Sequence, residues 1–401
     1  MLKMTDAAAG ADMLDLAPYS TPKKIIAVES TPHQLVLSWS DGRKSTFHAV
    51  WLRDNCACPL CRHPQALERR YLLLDQTAPV SIAMVSLLPK GDLAVTYEAD
   101  ESGAGHRSYF AAAWLRHHDY GDAARRERRI TPTLWHDAAL KELPAFDFTA
   151  VMTTDRGLHD WLSAWRRWGA TLLRNAPAEE GQVLKIAARV GPLRPTNFGS
   201  HYDVLTMPNP NASAYTAMAL EPHTDLANWQ SPPDCQFLFC IANEAEGGMS
   251  ILVDGFGVAE KIRRENPAAF ELLSTREIEF RFHDETCDIR RRAKMIDLNA
   301  DGSIRSVRFN NWLRSSFDLP MEEIEPMYQA LLVMWREMRN PDLYLRPRLE
   351  AGDMFILDNY RILHGRDAFD PNTGRRHLQG CYVDRDFVLS RIRVLERSLG
   401  V

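Results

Sequence analysis

No run of about 18 apolar residues, the length that spans a bilayer, interrupts the 401-residue chain. Positive charge is not in excess either. With 48 Lys and Arg against 53 Asp and Glu, a formal net charge of −5, the chain lacks the footprint of a nucleic-acid or anionic-membrane binder. It has no GxGxxG and no GxxxxGK[ST], so dinucleotide and P-loop readings lose their usual support. There is no internal repeat and no low-complexity tract. Residues 1–18 carry Asp6, Asp12 and Asp15 without an apolar block, so no signal peptide is expected and the protein is expected to be cytoplasmic. Seven cysteines is an odd count, and three crowd into Cys56–Cys61, which argues for a metal in a reducing compartment rather than a disulfide framework. What is present, 45% hydrophobic and 25% charged residues, fits a soluble globular chain long enough for two domains.

The first third reads as β-rich. Leu35, Leu37 and Trp39 alternate with polar or smaller residues, Ser40-Asp41-Gly42-Arg43 supplies a turn, and Ser45–Val50 forms the return strand. Ile82–Leu88 and Leu93–Tyr97 make a second pair. The charged, helical-looking stretch Gly121–Arg129 reads as linker, giving an N-terminal domain over 22–120, a linker over 121–145 and a second domain over 146–401. In that domain Leu158, Trp161, Leu162 and Trp165 share a helix face that Gly169 ends before a strand at Ala170–Leu173. Val258–Leu273 and Met321–Met338 are further expected helices, the latter with Pro326 in its first turn. Short apolar runs lie between them: Gln236–Ile241, Ser250–Val253, Ile278–Phe282, Met354–Leu357 and Leu378–Val383. Many short strands and a few long helices predict a mainly β sandwich or barrel with flanking helices, not a doubly wound sheet.

Cys56, Cys58 and Cys61 suit a tetrahedral Zn²⁺ and leave one ligand position. His63 and His106 compete for it; His106 is favoured, because a ligand as close as His63 would have to fold straight back. A second set begins at His223-Thr224-Asp225. On an extended strand residues i and i+2 point to one side, so His223 and Asp225 can grip one ion. With a distant His364 they make a two-histidine, one-carboxylate triad that leaves positions open on Fe(II). His117-His118-Asp119 and His283-Asp284-Glu285 are decoys without a suitable downstream partner. Arg376, a dozen residues after His364, is placed to hold the distal carboxylate of 2-oxoglutarate by a two-pronged charged bond, with Arg366 and Arg375 as competitors.

Six segments carry a family resemblance: Trp51–Cys58, Asn211–Thr216, His223–Asp225, Val253–Phe256, Leu363–Arg366 and Arg376–Tyr382. By these the chain resembles, from about residue 25 onward, the γ-butyrobetaine/trimethyllysine hydroxylases within the taurine-dioxygenase-like Fe(II)/2-oxoglutarate oxygenases. The resemblance implies a small N-terminal β-rich zinc domain, a double-stranded β-helix (jelly-roll) catalytic domain, and assembly as a homodimer. It also implies zinc on Cys56, Cys58, Cys61 and His106, iron on His223, Asp225 and His364, and the co-substrate 2-oxoglutarate on Arg376, with O₂ consumed.

The same resemblance implies an aromatic cage for a trimethylammonium head, since ring faces attract a cation too bulky for hydrogen bonds. The matching positions are Phe198, Tyr202, Tyr215 and Tyr382; Phe198 and Tyr202 replace the tyrosine and tryptophan of the animal enzymes. Asn310 matches a reader of the substrate's carboxylate, but its usual companion is Ala212 here. Asn209, Asn211, Asn311 and Arg314 are candidates to compensate, and Arg314 suits a more highly charged acid. The expected reaction is hydroxylation of an unactivated C–H of γ-butyrobetaine or of 2-(trimethylammonio)ethylphosphonate, with trimethyllysine as the alternative substrate. A non-catalytic metal-dependent ligand-binding protein, a zinc-finger interaction module and a zinc hydrolase are the readings from other classes. An intact triad with Arg376 opposes the first and the absence of a basic patch the second. The third would favour a closed cluster of histidines near a Glu base.

Overall fold

Large side chains at every second position decide which strand face becomes core. In Gln34–Trp39 the residues Leu35, Leu37 and Trp39 are fully buried while their neighbours are not. The computed structural model describes residues 19–76, 78–99, 105–206 and 216–401; Asn209, Asn211, Ala212 and Tyr215 lie outside the described residues. Two compact units divide between Ile130 and Thr131.

In the first unit, strands Ile25–Ser30, Gln34–Trp39 and Lys44–His48 form one antiparallel sheet, and Ile82–Leu87, Leu93–Tyr97 and Arg107–Phe110 a second. Their apolar faces share a core with Leu52, Trp114 and Leu115. Gly42, at φ 84°, makes the tight turn that its lack of a Cβ permits. The strand expected over 45–50 ends at His48, because its partner begins at Gln34, opposite His48, and the ladder has nothing further to pair with. Ala49 instead opens the short helix Ala49–Asp54, which delivers the chain to Cys56.

In the second unit six strands lie in the order Ala145–Asp147, Ala170–Arg174, Met354–Asp358, Cys235–Asn243, Arg376–Val383, His201–Val204. Four more lie in the order Leu220–His223, Ile362–Arg366, Ser250–Asp254, Tyr344–Leu345. Along the central strand Cys235–Asn243 the odd positions Phe237 and Phe239 pack on Trp161, Trp165, Ile186 and Val388 of three helices. Leu238 and Cys240 face the other way, toward Leu252, Ile362 and Leu378. A second group of helices gathers around Val253 and Leu363 of the smaller sheet. This is the expected double-stranded β-helix, mainly β with flanking helices.

Three helical details differ from expectation or confirm it. Thr154 caps the helix Asp155–Trp168 by accepting from the Gly157 N–H, and Gly169, at φ 77°, ends it as expected. The helix expected over 258–273 is two, Gly255–Glu265 and Pro267–Thr275, because Pro267 cannot donate into a continuing helix and the Asn266 side chain caps the second. Pro326 lies inside Met321–Met338, a turn deeper than expected. Residues 131–145 are built into the second unit rather than bridging to it. Trp135 is buried there, its indole N–H donating to the Trp168 carbonyl at 2.8 Å.

Candidate active site and metal centre

His223 and His364 face each other as a directly opposed pair on the antiparallel strands Leu220–His223 and Ile362–Arg366, their ring centroids 4.5 Å apart. Gly365 permits the approach: a Cβ there would fall 2.3 Å from the Leu220 carbonyl oxygen. The i, i+2 argument expects Asp225 to share that strand, but it does not. The ladder stops at His223, and Asp225 starts a turn in which Leu226 takes φ 53°. Asn359 holds the turn. Its side-chain oxygen accepts from the Asp225 N–H at 2.7 Å, and its amide donates to the carbonyls of Asp225 and Pro233 at 3.0 and 2.9 Å. Asp225 Oδ1 is thereby 3.5 Å from His223 Nε2 and 3.6 Å from His364 Nε2.

The protonation states suit a divalent cation. His223 Nδ1 donates to the Glu221 carbonyl at 2.9 Å, which leaves the Nε2 lone pair for a metal. Burial pushes His364 down to about 4, so it is neutral at pH 7. Burial opposes charge on Asp225 too, but the facing His364 and His223 and the Tyr382 hydroxyl hold its carboxyl well below the usual range. Tyr382 is pushed far up by burial and by Asp225, so its phenol stays a donor; it bonds Asp225 Oδ2 at 2.7 Å. Two imidazoles and one carboxylate are a donor set that fits Fe(II). Neither decoy forms a cluster: among the described residues the groups of three or more candidate ligands are this triad and the cysteine–histidine set.

The triad opens into a cavity of ≈ 580 Å³. Phe198, Tyr202, Asn310, Arg376 and Tyr382 line it. The Tyr202 and Tyr382 rings are 5.5 Å apart at 33°, and Phe198 meets Phe282 edge-on at 5.5 Å. Asn310 accepts at Oδ1 from the N–H groups of Trp312 and Leu313 and donates to the Thr224 carbonyl, which leaves one amide N–H for a ligand. Arg314 is not among the residues that line the cavity; it stacks over Phe317 at 4.8 Å and donates to Asn311.

Of the three competing arginines, Arg366 and Arg376 line the cavity and Arg375 instead contacts His377 at 3.1 Å. Arg366 and Arg376 both stack on Phe369, and each keeps a buried Nε without a partner. Arg366 is committed to the carbonyls of Met218 and Thr216. Burial, then the charge of Arg376, lowers Arg366 to about 10, still charged at neutral pH. Gln236, Arg281 and Trp312 also line the cavity and escape sequence reasoning. Gln236 is one amide at the start of an apolar run, and Arg281 is paired with Asp288 through two 2.7 Å bonds.

In the first unit, His106 Nε2 stands 3.2, 3.8 and 3.6 Å from the sulfurs of Cys56, Cys58 and Cys61. The choice between histidines falls to His106. His63 is occupied, its Nδ1 accepting from the N–H groups of Gln65 and Ala66. Hydrogen bonds from Cys56 and Cys61 hold the Cys58 thiol strongly down, toward the thiolate a metal takes.

Comparison with known proteins shows the family. Residues 128–382 match the family described as Taurine catabolism dioxygenase TauD, TfdA family, and residues 26–116 match Gamma-butyrobetaine hydroxylase-like, N-terminal. The chain is 40% identical over 364 residues to the gamma-butyrobetaine dioxygenase of Pseudomonas sp. (strain AK-1), covering 90% of this chain and 93% of that one. Against gamma-butyrobetaine dioxygenase of Homo sapiens it is 33% identical, over 92% and 95% of the two chains. Against the mitochondrial trimethyllysine dioxygenase of Bos taurus it is 29% identical, over 87% and 82%. The chain belongs to the TauD/TfdA family, in its γ-butyrobetaine/trimethyllysine hydroxylase branch, and is an Fe(II)- and 2-oxoglutarate-dependent dioxygenase.

Proposed function

We propose that the protein hydroxylates γ-butyrobetaine, with His223, Asp225 and His364 holding iron and Arg376 holding the distal carboxylate of 2-oxoglutarate. The observation that carries the substrate is the pair of rings Tyr202 and Tyr382, 5.5 Å apart, one of them hydrogen-bonded to Asp225. A quaternary ammonium on those rings gains about 2 kcal/mol or more in a desolvated site, and lies beside the reacting centre. The names of the relatives support the same class of substrate.

Fe(II) bound to the triad would supply the activation of O₂ by which 2-oxoglutarate becomes succinate and CO₂ and a substrate C–H becomes C–OH. The chain's own part is placement. Arg376, half-buried, with a buried Nε that has no partner among the described residues, offers a guanidinium to an anion. Tyr202, Tyr382 and Phe198 take the cationic head, and the remaining Asn310 N–H meets the acid. In the first unit Cys56, Cys58, Cys61 and His106 hold a structural zinc, a closed four-ligand site of the kind that stabilises a small fold.

The test is turnover on a panel of γ-butyrobetaine, 2-(trimethylammonio)ethylphosphonate, trimethyllysine and their dimethylamine counterparts, with succinate and hydroxylated product both measured. γ-Butyrobetaine should lead, with one succinate per product. A preference for the phosphonate would reassign the acid end. Equal turnover of the dimethylamines, at a pH where the amine is neutral, would dismiss the cage. Substrate-dependent CO₂ release that survives His223→Ala would dismiss the triad.

A further inference from the structure

Gln236 stands opposite Tyr382 in the register of two neighbouring strands, so both side chains leave the sheet on one face. They converge on one atom. Gln236 Nε2 is 2.5 Å and the Tyr382 hydroxyl 2.7 Å from Asp225 Oδ2. The same Gln236 amide donates to the Tyr202 hydroxyl at 2.9 Å. Its Oε1 is buried without a partner. Flipping the amide would turn that oxygen onto a carboxylate, so the donor-inward orientation is the one the site tolerates.

From this geometry we infer that Gln236 is a positioning residue: with Tyr382 it occupies Asp225 Oδ2, so that Asp225 binds iron through Oδ1 alone, and it joins the Tyr202–Tyr382 ring pair to that ligand. The inference rests on the iron assignment above. A carboxylate free at both oxygens can take two positions on a metal, which would remove one of those left for co-substrate and O₂. Two donors on Oδ2 use its lone pairs and leave Oδ1 facing the two imidazoles. A buried acceptor without a partner costs stability. Gln236 therefore serves the site at the expense of the fold, and a purely structural role would show the opposite balance.

The experiment is an anaerobic Fe(II) titration of metal-free protein with 2-oxoglutarate, followed by the visible absorption of the iron–keto-acid chelate, alongside thermal unfolding. In Gln236→Leu the half-saturating Fe(II) should rise about tenfold or more, while the unfolding midpoint holds or rises. Gln236→Asn, one methylene too short to reach both partners, should shift the titration in the same direction and serves if the leucine variant does not accumulate folded. Wild-type titration curves in these variants, with His223→Ala losing the chelate absorption, would overturn the inference and leave the iron site standing. Unchanged absorption in His223→Ala would overturn the iron site and the inference with it.

Discussion

Arg361 grips Asp254 through two 2.9 Å hydrogen bonds, Nε to Oδ1 and Nη2 to Oδ2, with side chains 1% and 0% exposed. The guanidinium also donates to the carbonyls of Arg167 and Thr133, and Asp254 accepts from the Trp135 N–H. One ion pair thus ties the end of the helix Asp155–Trp168, the segment around Trp135 and the strand Ser250–Asp254 to the turn that leads to His364. A buried pair gains little over apolar packing, but a half-broken one leaves a charge with no counterpart.

Asp254→Asn should therefore cost about 3–5 kcal/mol of stability. Denaturant unfolding would read it. The double change Asp254→Leu with Arg361→Met should cost less than either single substitution, and a larger loss in the double would contradict the account.

Gly380 lies opposite Tyr202 across the strand pair, and a Cβ on it would sit 2.3 Å from the Tyr202 ring at Cζ. Gly380→Ala should displace the ring and its bond to Gln236. Steady-state kinetics should show KM for the quaternary ammonium substrate rising about tenfold, the loss expected from ~1.4 kcal/mol of cation–π contact. KM for 2-oxoglutarate should stay near wild type; equal changes in both would point to general misfolding instead.

Cys58→Ser removes one ligand from the four that converge in the first unit. Elemental analysis should find zinc near one per chain in the wild type and depleted in the variant, with a lower unfolding midpoint. Molecules that stay folded should still decarboxylate 2-oxoglutarate. Absence of zinc from wild-type protein purified without chelator would refute the site.

Asp203 secures the edge strand that carries Tyr202. Its Oδ1 meets His377 Nε2 at 2.7 Å and accepts from Gln379 at 2.9 Å. Burial raises its pKa, but the bonds from His377 and Gln379 win and bring it below the usual 3.8. A carboxyl lowered on folding stabilises above its unfolded value, and that contribution is lost as pH falls through the folded one. Wild type should exceed Asp203→Asn in stability at pH 6, and the gap should close as pH drops below about 4. A gap that persists to pH 2 would show that the charge is not the cause.

The two candidate ligand clusters are readable in the sequence because Cys56, Cys58, Cys61 and His223-Thr224-Asp225 are local, and because few other uses combine those residue types. His364 becomes readable through Arg376 downstream. Gln236 does not, because its role depends on the strand register that sets Tyr382 opposite it. Apolar periodicity runs through Val258, Ile262, Ala269 and Leu273 and hides the break that Asn266-Pro267 announces. Arg314 is hard to assign from sequence because a guanidinium serves aromatic stacking as readily as acid binding, and here it stacks on Phe317. Trp135 is hidden by its charged surroundings, since burial there comes from contacts with Trp168 and Asp254 far along the chain.

Asp225 stands just beyond the end of the ladder, on a turn fastened by the side chain of Asn359. Two of the three proposed metal ligands are woven into a sheet, while the third is held by side-chain bonds from Asn359, Gln236 and Tyr382 and by the neighbouring Thr224 N–H on the Phe309 carbonyl. Such a turn can open without any strand separating, at a free energy below that of global unfolding. Warming or mild urea should then empty the centre while the sheets persist. The working lifetime of this enzyme is in that case set by a single corner, and a bound metal ion extends it by tying the corner shut.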